Sequence, residues 1–236
     1  MRYSYEQTAS IEQGRRLAKA PFTERAEDVL GAGGALAALQ DQVDLARLPV
    51  FFRNYATLEA KALSFFWYGG HVVPGLLQTE DCVQAILGAH FPPMPDELLE
   101  ERLAARMDRQ KLLDRQNPPV VATFLIEEAV LRRPVGGAAA MKRQLQQLLK
   151  RSSQRNIQIQ AVPTDLGARP CLNGSMVLLE TAERQQVAYV ESQDIGMVIS
   201  EADKVSDLWL RNGMLRLLAL NVGESARPIE RIMGEL

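Results

Sequence analysis

Apolar positions change rhythm repeatedly along this chain, and each change marks an element. Ala62 to Tyr68, Val120 to Ile126, Ile157 to Val162, Ser175 to Leu179 and Val187 to Val190 are short, dense apolar runs bounded by polar or glycine residues, the pattern of buried strands. Elsewhere the apolar residues recur at three and four. Leu98, Leu99, Leu103, Met107 and Leu112 predict a long helix capped by Asp96 and ending near Arg115. Met141, Leu145, Leu148 and Leu149 predict a second helix, and Leu208–Leu220 and Ile229–Met233 predict two more at the end of the chain. Near the start, Ser4–Gln13 reads as a short helix with Ser4 and Gln7 in capping-box spacing. Thr23–Leu30 and Ala35–Ala46 follow as helices, separated by Gly31 and the pair Gly33-Gly34.

One stretch breaks its own pattern. In HVVPGLLQTEDCVQAIL, residues 71–87, the β-branched Val72 and Val73 read as the end of a strand. Pro74-Gly75 then forces a turn. Thr79 restarts the chain as an N-cap, with Glu80 and Asp81 in the first turn and Val83, Ile86 and Leu87 on one face.

These elements predict an α+β (mixed α/β) fold: a helical N-terminal segment, a central mixed sheet of about five strands covered by helices, and a helical C-terminus. The segment from Val120 to Val162 is long enough for a right-handed parallel crossover. The last two strands are close enough to form a hairpin turning at Thr181–Arg184. Residues 1–50 are expected to form a separate helical unit and residues 51–236 the main α/β domain.

Composition narrows the class without naming a function. The 236 residues are 47% hydrophobic and 24% charged, with a formal charge of -2, values of an ordinary globular chain with no global field for nucleic acid. No apolar run approaches the roughly 20 residues that span a bilayer, and the first residues lack the apolar core of a signal peptide. Cys82 and Cys171 are too few for a disulfide scaffold. A cytoplasmic protein without membrane association is expected.

Few residues suggest chemistry. Arg102, Arg106 and Arg109, with Gln110, share one helical stripe. They form either a guanidinium cluster for a phosphate or carboxylate, or a solvated face paired with Glu100 and Glu101. Glu127 and Glu128 follow a strand directly, where open sheets place ligand groups, and Arg132 lies within reach of one helical turn. This trio is either a binding or acid/base group or a set of helix ion pairs. Gln78 offers an amide beside the Pro74-Gly75 turn. Gly136-Gly137 leaves backbone amides free for an anion but lacks the lysine and hydroxyl of a phosphate loop. His71, Cys82, His90 and Cys171 have none of the usual zinc spacings, so no metal and no cofactor is expected. Phe65, Phe66, Trp67 and Tyr68 serve either a pocket wall or the core.

The segment VPGLLQTEDCVQAIL resembles the hallmark of a large family of actinobacterial, Streptomyces-type regulators. In that family a lambda-repressor-like helix-turn-helix precedes a domain of uncharacterised function. The resemblance continues through ERLAARMDRQKLL, FLIEEAVLRRPVGG, MKRQLQQLL, NIQIQAVPTDLGA, VAYVES and ESARPIERI, from about residue 55 onward. SYEQTASIEQGRR, residues 4–16, resembles the recognition helix and following turn, without the two helices that precede it in the family. A truncated start, a member retaining only the second domain, and completion by another chain all remain open. The resemblance implies a regulatory body that senses a small anionic ligand or a protein partner, a possible homodimer, and DNA binding only where the missing helices are supplied. Ligand contacts are expected from Gln78, Arg106, Arg109, Gln110, Glu127, Glu128 and Arg132. The alternatives are an interaction or scaffold protein without DNA binding, or a small-molecule biosynthetic enzyme using Glu127 or Glu128 as acid/base. With no evident catalytic constellation, a binding body fits better than an enzyme.

Overall fold

The computed structural model describes residues 3–236. The chain divides after Arg53 into two compact units, the second being Asn54–Leu236. In the first unit, helices α1 (Tyr5–Glu12), α2 (Ala20–Leu30) and α3 (Ala35–Ala46) follow in turn. Ser4 and Gln7 close the capping box of α1. Gly31 ends α2 in the left-handed conformation, with φ of 61°. Glu27 reaches past that turn and accepts from the amides of Gly34, Leu36 and Ala37 at 2.6, 2.8 and 2.9 Å, doing for α3 what its glycine N-cap lacks the side chain to do. Within these three helices only Thr23 is buried.

Helix α4 (Val50–Lys61) leads into the main body. Its order is β1 (Ser64–Gly69), α5 (Glu80–Gly88), α6 (Asp96–Arg109), β2 (Val121–Glu127), α7 (Glu128–Arg132), α8 (Ala138–Ser152), β3 (Ile157–Val162), β4 (Met176–Glu180), β5 (Gln186–Ser192), β6 (Ile195–Ile199), α9 (Ala202–Leu218) and α10 (Val222–Glu235). The strands form one six-stranded sheet in the order β3-β2-β1-β4-β5-β6. β1, β2 and β3 are parallel, while β4, β5 and β6 continue antiparallel from β1. The fold is therefore α+β with a mixed sheet. No described helix is long and apolar enough to cross a membrane.

Strand alternation divides the core. Phe65 packs edge-on against Phe124 and Trp67 stacks on it, so these side chains share one face. Tyr68, Leu125, Val162 and Met176 occupy the other, under Leu215 of α9, where Phe66 also meets Trp209. The aromatic run of β1 is thus core on both sides. The outer edge of β3 is sealed by the last helix: Ala161 donates to Ser225 Oγ at 2.9 Å and accepts from the Leu220 amide at 2.9 Å. Two otherwise open ladder positions are satisfied, which explains the small hydroxyl residue at the second position of ESARPIERI.

The segment 73–78 is neither strand nor exposed loop. β1 stops at Gly69, and Val72 and Val73 are not strand, contrary to the expectation from their β-branching. Val73, Pro74, Leu76, Leu77 and Gln78 are instead buried around a 3-10 turn at Gly75–Leu77. Buried irregular backbone needs side-chain partners, and three glutamines supply them. Gln78 Nε2 donates to the Val73 carbonyl at 2.6 Å. Gln110 Nε2 donates to Gly75 and Gln78 carbonyls at 3.0 and 2.7 Å. Gln144 of α8 donates to the Leu77 carbonyl and accepts from the Thr79 amide, both at 2.8 Å.

Other differences from the sequence pattern have local causes. α6 begins at Asp96 after Pro95, so Asp96 is a first-turn acid rather than the cap. After Arg109 the chain tightens into a 3-10 segment, Gln110–Asp114, which turns Gln110 toward the 71–79 backbone. The sheet has six strands rather than about five; β6 follows a two-residue turn at Gln193-Asp194 and exposes Ile195 and Met197, so it lacks a dense apolar run.

Replacing Gln110 or Gln144 by alanine strands buried carbonyls without partners, a loss of about 2–4 kcal/mol. Thermal melts should show a drop of about 5–15 °C for a chain of this size, against little change for an exposed control such as Gln146→Ala.

Candidate functional site

Two polar clusters flank the sheet, one on each face. On the Trp67 face, Tyr55 of α4 stacks on Tyr189 of β5, with ring centroids 4.1 Å apart and an interplanar angle of 20°. One turn later, Glu59 is buried; it accepts from the Tyr55 hydroxyl at 2.8 Å and from Arg109 in a two-point pair at 2.8 and 2.9 Å. Burial alone disfavours the charge on Arg109, but Glu59 outweighs it, and the guanidinium pKa rises. Burial, and then the Glu59 charge, push the Tyr55 phenol well above its ordinary value.

Arg106, one turn before Arg109, is differently placed. It donates to Gln78 Oε1 at 3.2 Å, and no carboxylate among the described residues pairs with it. Burial first, and then the charge of Arg109, pull its pKa down to about 10, so it stays cationic at neutral pH. Glu191 offsets part of that field, but it is exposed and already holds the Tyr189 hydroxyl at 2.8 Å. On the same stripe, Arg102 Nε is buried with no hydrogen-bond partner among the described residues. Two neighbouring guanidiniums therefore retain unused donors in a partly desolvated place.

On the opposite face, Glu127 ends β2. It accepts from Tyr68 at 2.7 Å and from Arg169 at 3.1 and 2.5 Å. Arg169 lies in the connection from β3 to β4, which must span the width of β2 and β1. Glu128 points elsewhere: it binds Arg132 at 2.8 Å and Arg231 of α10 at 3.0 Å. These residues line a surface groove of about 940 Å³ with Pro163, Leu220 and Arg227. Burial pushes the Glu128 carboxyl up, but hydrogen bonds from Arg132 and the Thr164 amide, with the Arg132 and Arg231 charges, outweigh it. Its pKa therefore lies below the ordinary 4.5.

The family model of a domain of unknown function, DUF5753, matches residues 52–231. The chain belongs to this family. No curated protein and no solved structure matches it.

Within the DUF5753 domain, the residues expected to share one site are separated. Gln78, Arg106 and Gln110 meet, with Arg109 on the same face; Glu127 lies across the sheet, and Glu128 and Arg132 face α10. The single convergent constellation does not form, because alternation along β2 sends Glu127 to the Tyr68 side. Glu59, Tyr55 and Tyr189 had no sequence signal beyond the i, i+4 spacing of Tyr55 and Glu59, since α4 starts without a recognisable cap. Arg169 sits in a glycine- and proline-containing loop whose course depends on strand order. Gly136, with φ of 76°, serves packing: a side chain there would lie 3.0 Å from Ala140 Cβ and 3.3 Å from Ala85 Cβ.

Because the Glu128 carboxyl is held below its unfolded value, its contribution to stability is complete above that value. It is lost as pH falls through the lowered folded pKa. Glu128→Gln should therefore melt below wild type at pH 7, and the gap should close as the pH falls below about 4; a gap independent of pH would mean the carboxylate charge is not what Arg132 and Arg231 hold.

Proposed function

We propose that this DUF5753 domain is the sensing body of a transcription-regulator-type protein, and that it responds to a small anion, a carboxylate or a phosphate. The observation that carries the reading is Arg106. Arg109, Arg132 and Arg169 each have a carboxylate at 2.5–2.8 Å, while among the described residues Arg106 has only the Gln78 amide. A partly buried cation without a counterion is costly, and a bound anion taking donors from Arg106 and Arg102 would supply the missing charge. The regulatory setting rests on the resemblance carried by VPGLLQT and the segments after it, and a cytoplasmic location goes with that setting. DNA binding is assigned only to an assembly that adds helices to α1.

The enzyme alternative requires a carboxylate free to exchange protons. Both oxygens of Glu127 are engaged by Tyr68 and Arg169, and Glu128 is shared by two arginines. The binding reading therefore has the stronger support.

Thermal melts of wild type and Arg106→Met, each with inorganic phosphate or succinate, separate a site from a lattice. A wild-type gain of about 5–10 °C is expected at about 100 times the dissociation constant. Arg106→Met should melt within a few degrees of wild type, because it removes an unmatched charge, and should lose the response. A large melting loss with the response intact would make Arg106 a structural residue. Failure of both anions to shift wild type would overturn the anion reading.

A further inference from the structure

One carboxylate on the Arg106 side of the sheet has no cationic partner. Trp67 is in register with Val177, and Val177 with Tyr189, so Tyr189 and, two residues further, Glu191 project from the Trp67 face. Glu191 is exposed, and its Oε2 accepts from the Tyr189 hydroxyl at 2.8 Å. Among the described residues it has no other hydrogen bond and no ion pair. The register also sets its place relative to the buried turn at 73–78. Glu191 lies one residue past the row Tyr68–Met176–Val190, level with Gly69 and two strands away, roughly 10 Å across the sheet. Pro74 packs over Gly69, at 3.2 Å from where a Cβ there would stand, and Arg106 Cδ lies 3.9 Å from the same position on Gly75. Arg106 and Glu191 therefore belong to one end of one face. The Glu191 charge favours the cationic form of both Arg106 and Arg109, so its field reaches that stripe.

Each of the two charges is held by a neutral group instead of by the other. Gln78 Oε1 holds Arg106; the Tyr189 hydroxyl, on a ring stacked against Tyr55, holds Glu191. A simple anion at Arg106 and Arg102 gains their donors but enters the field of Glu191, which opposes added negative charge. A ligand with an ammonium beside its carboxylate turns that repulsion into a second attraction, with the remaining oxygen of Glu191 as acceptor. An amino acid carries that pair of charges.

We propose that the ligand of the Arg106 site is an amino acid, its carboxylate held by Arg106 and Arg102 and its ammonium by Glu191. Glu191 is then the residue that selects amino acids over plain carboxylates. The inference rests on the anion reading of Arg106 and adds the second charge to it.

Titration calorimetry of the full chain with two matched pairs tests it: L-2-aminobutyrate against butyrate, and L-glutamate against glutarate. In at least one pair the ammonium compound should bind wild type about tenfold more tightly, the worth of one hydrogen bond to a charged group. Glu191→Gln keeps an acceptor for the Tyr189 hydroxyl and removes the charge. Its affinity for the preferred amino acid should fall about tenfold, while the matched carboxylate binds as well or better, so that the preference disappears. Arg106→Met should lose all four compounds. Equal affinities within both pairs, or a preference that survives Glu191→Gln, would overturn the amino-acid inference and leave the anion reading to stand on phosphate and succinate. Should wild type bind neither these four compounds nor phosphate and succinate, the anion reading fails as well.

Discussion

Chain that is buried without being helix or strand must find partners for its own amides and carbonyls. In this domain that constraint falls on residues 73–78, and much of the parallel half is organised around it. The partners come from three directions: Gln78 folds back on Val73, Gln110 reaches up from the end of α6, and Gln144 reaches in from α8. Arg133 adds a fourth, donating to the His71 carbonyl at 2.6 Å. Each contact fixes the segment and the element that supplies it. The start of α5, the end of α6 and the middle of α8 are thereby tied to one turn. The close approach of Gly136 to Ala85 and Ala140 belongs to the same arrangement, since α5 and the start of α8 meet there without a side chain between them.

That turn also determines where charge is placed. Gln78 is held through its own amide, so its Oε1 is presented at a fixed position to Arg106. Arg106 lies one helical turn before Arg109, which is already neutralised by Glu59. The opposite face follows another logic. The connection from β3 to β4 must cross the ends of β2 and β1, and it carries Arg169 onto Glu127 as it does so. On one face Glu127 and Arg169 neutralise each other; on the other, Arg106 and Arg102 keep guanidinium donors unused among the described residues. The proposed anion site rests on this asymmetry.

The sequence announced most of this scaffold because periodicity and capping chemistry are local. Ser4 with Gln7, Thr79 before Glu80, and the run Ile157–Val162 each carry their own signal, and each forms the expected element. The misses are those whose signal is not local. α4 carries its charge partner at Glu59 but no cap, and β6 is half exposed, so neither shows the rhythm of a buried element. Val72 and Val73 have strand chemistry, yet tertiary burial of the following turn overrides it. The site was legible only in part. The stripe Arg106-Arg109-Gln110 and the amide of Gln78 could be read from helical spacing, whereas the face on which Glu127 emerges depends on register. Its partner Arg169 depends on strand order, which no spacing contains.

Residues 73–78 form a rigid, buried bracket, although their regular structure is limited to one 3-10 turn at Gly75–Leu77. Native-state hydrogen exchange at the Leu77 and Thr79 amides reads this directly, because those amides are held by the Pro74 carbonyl and by Gln144 Oε1. Both are expected to exchange only through global unfolding, with opening free energies equal to those of β2. Exchange through a local opening far below the global value, as in an ordinary surface loop, would contradict it.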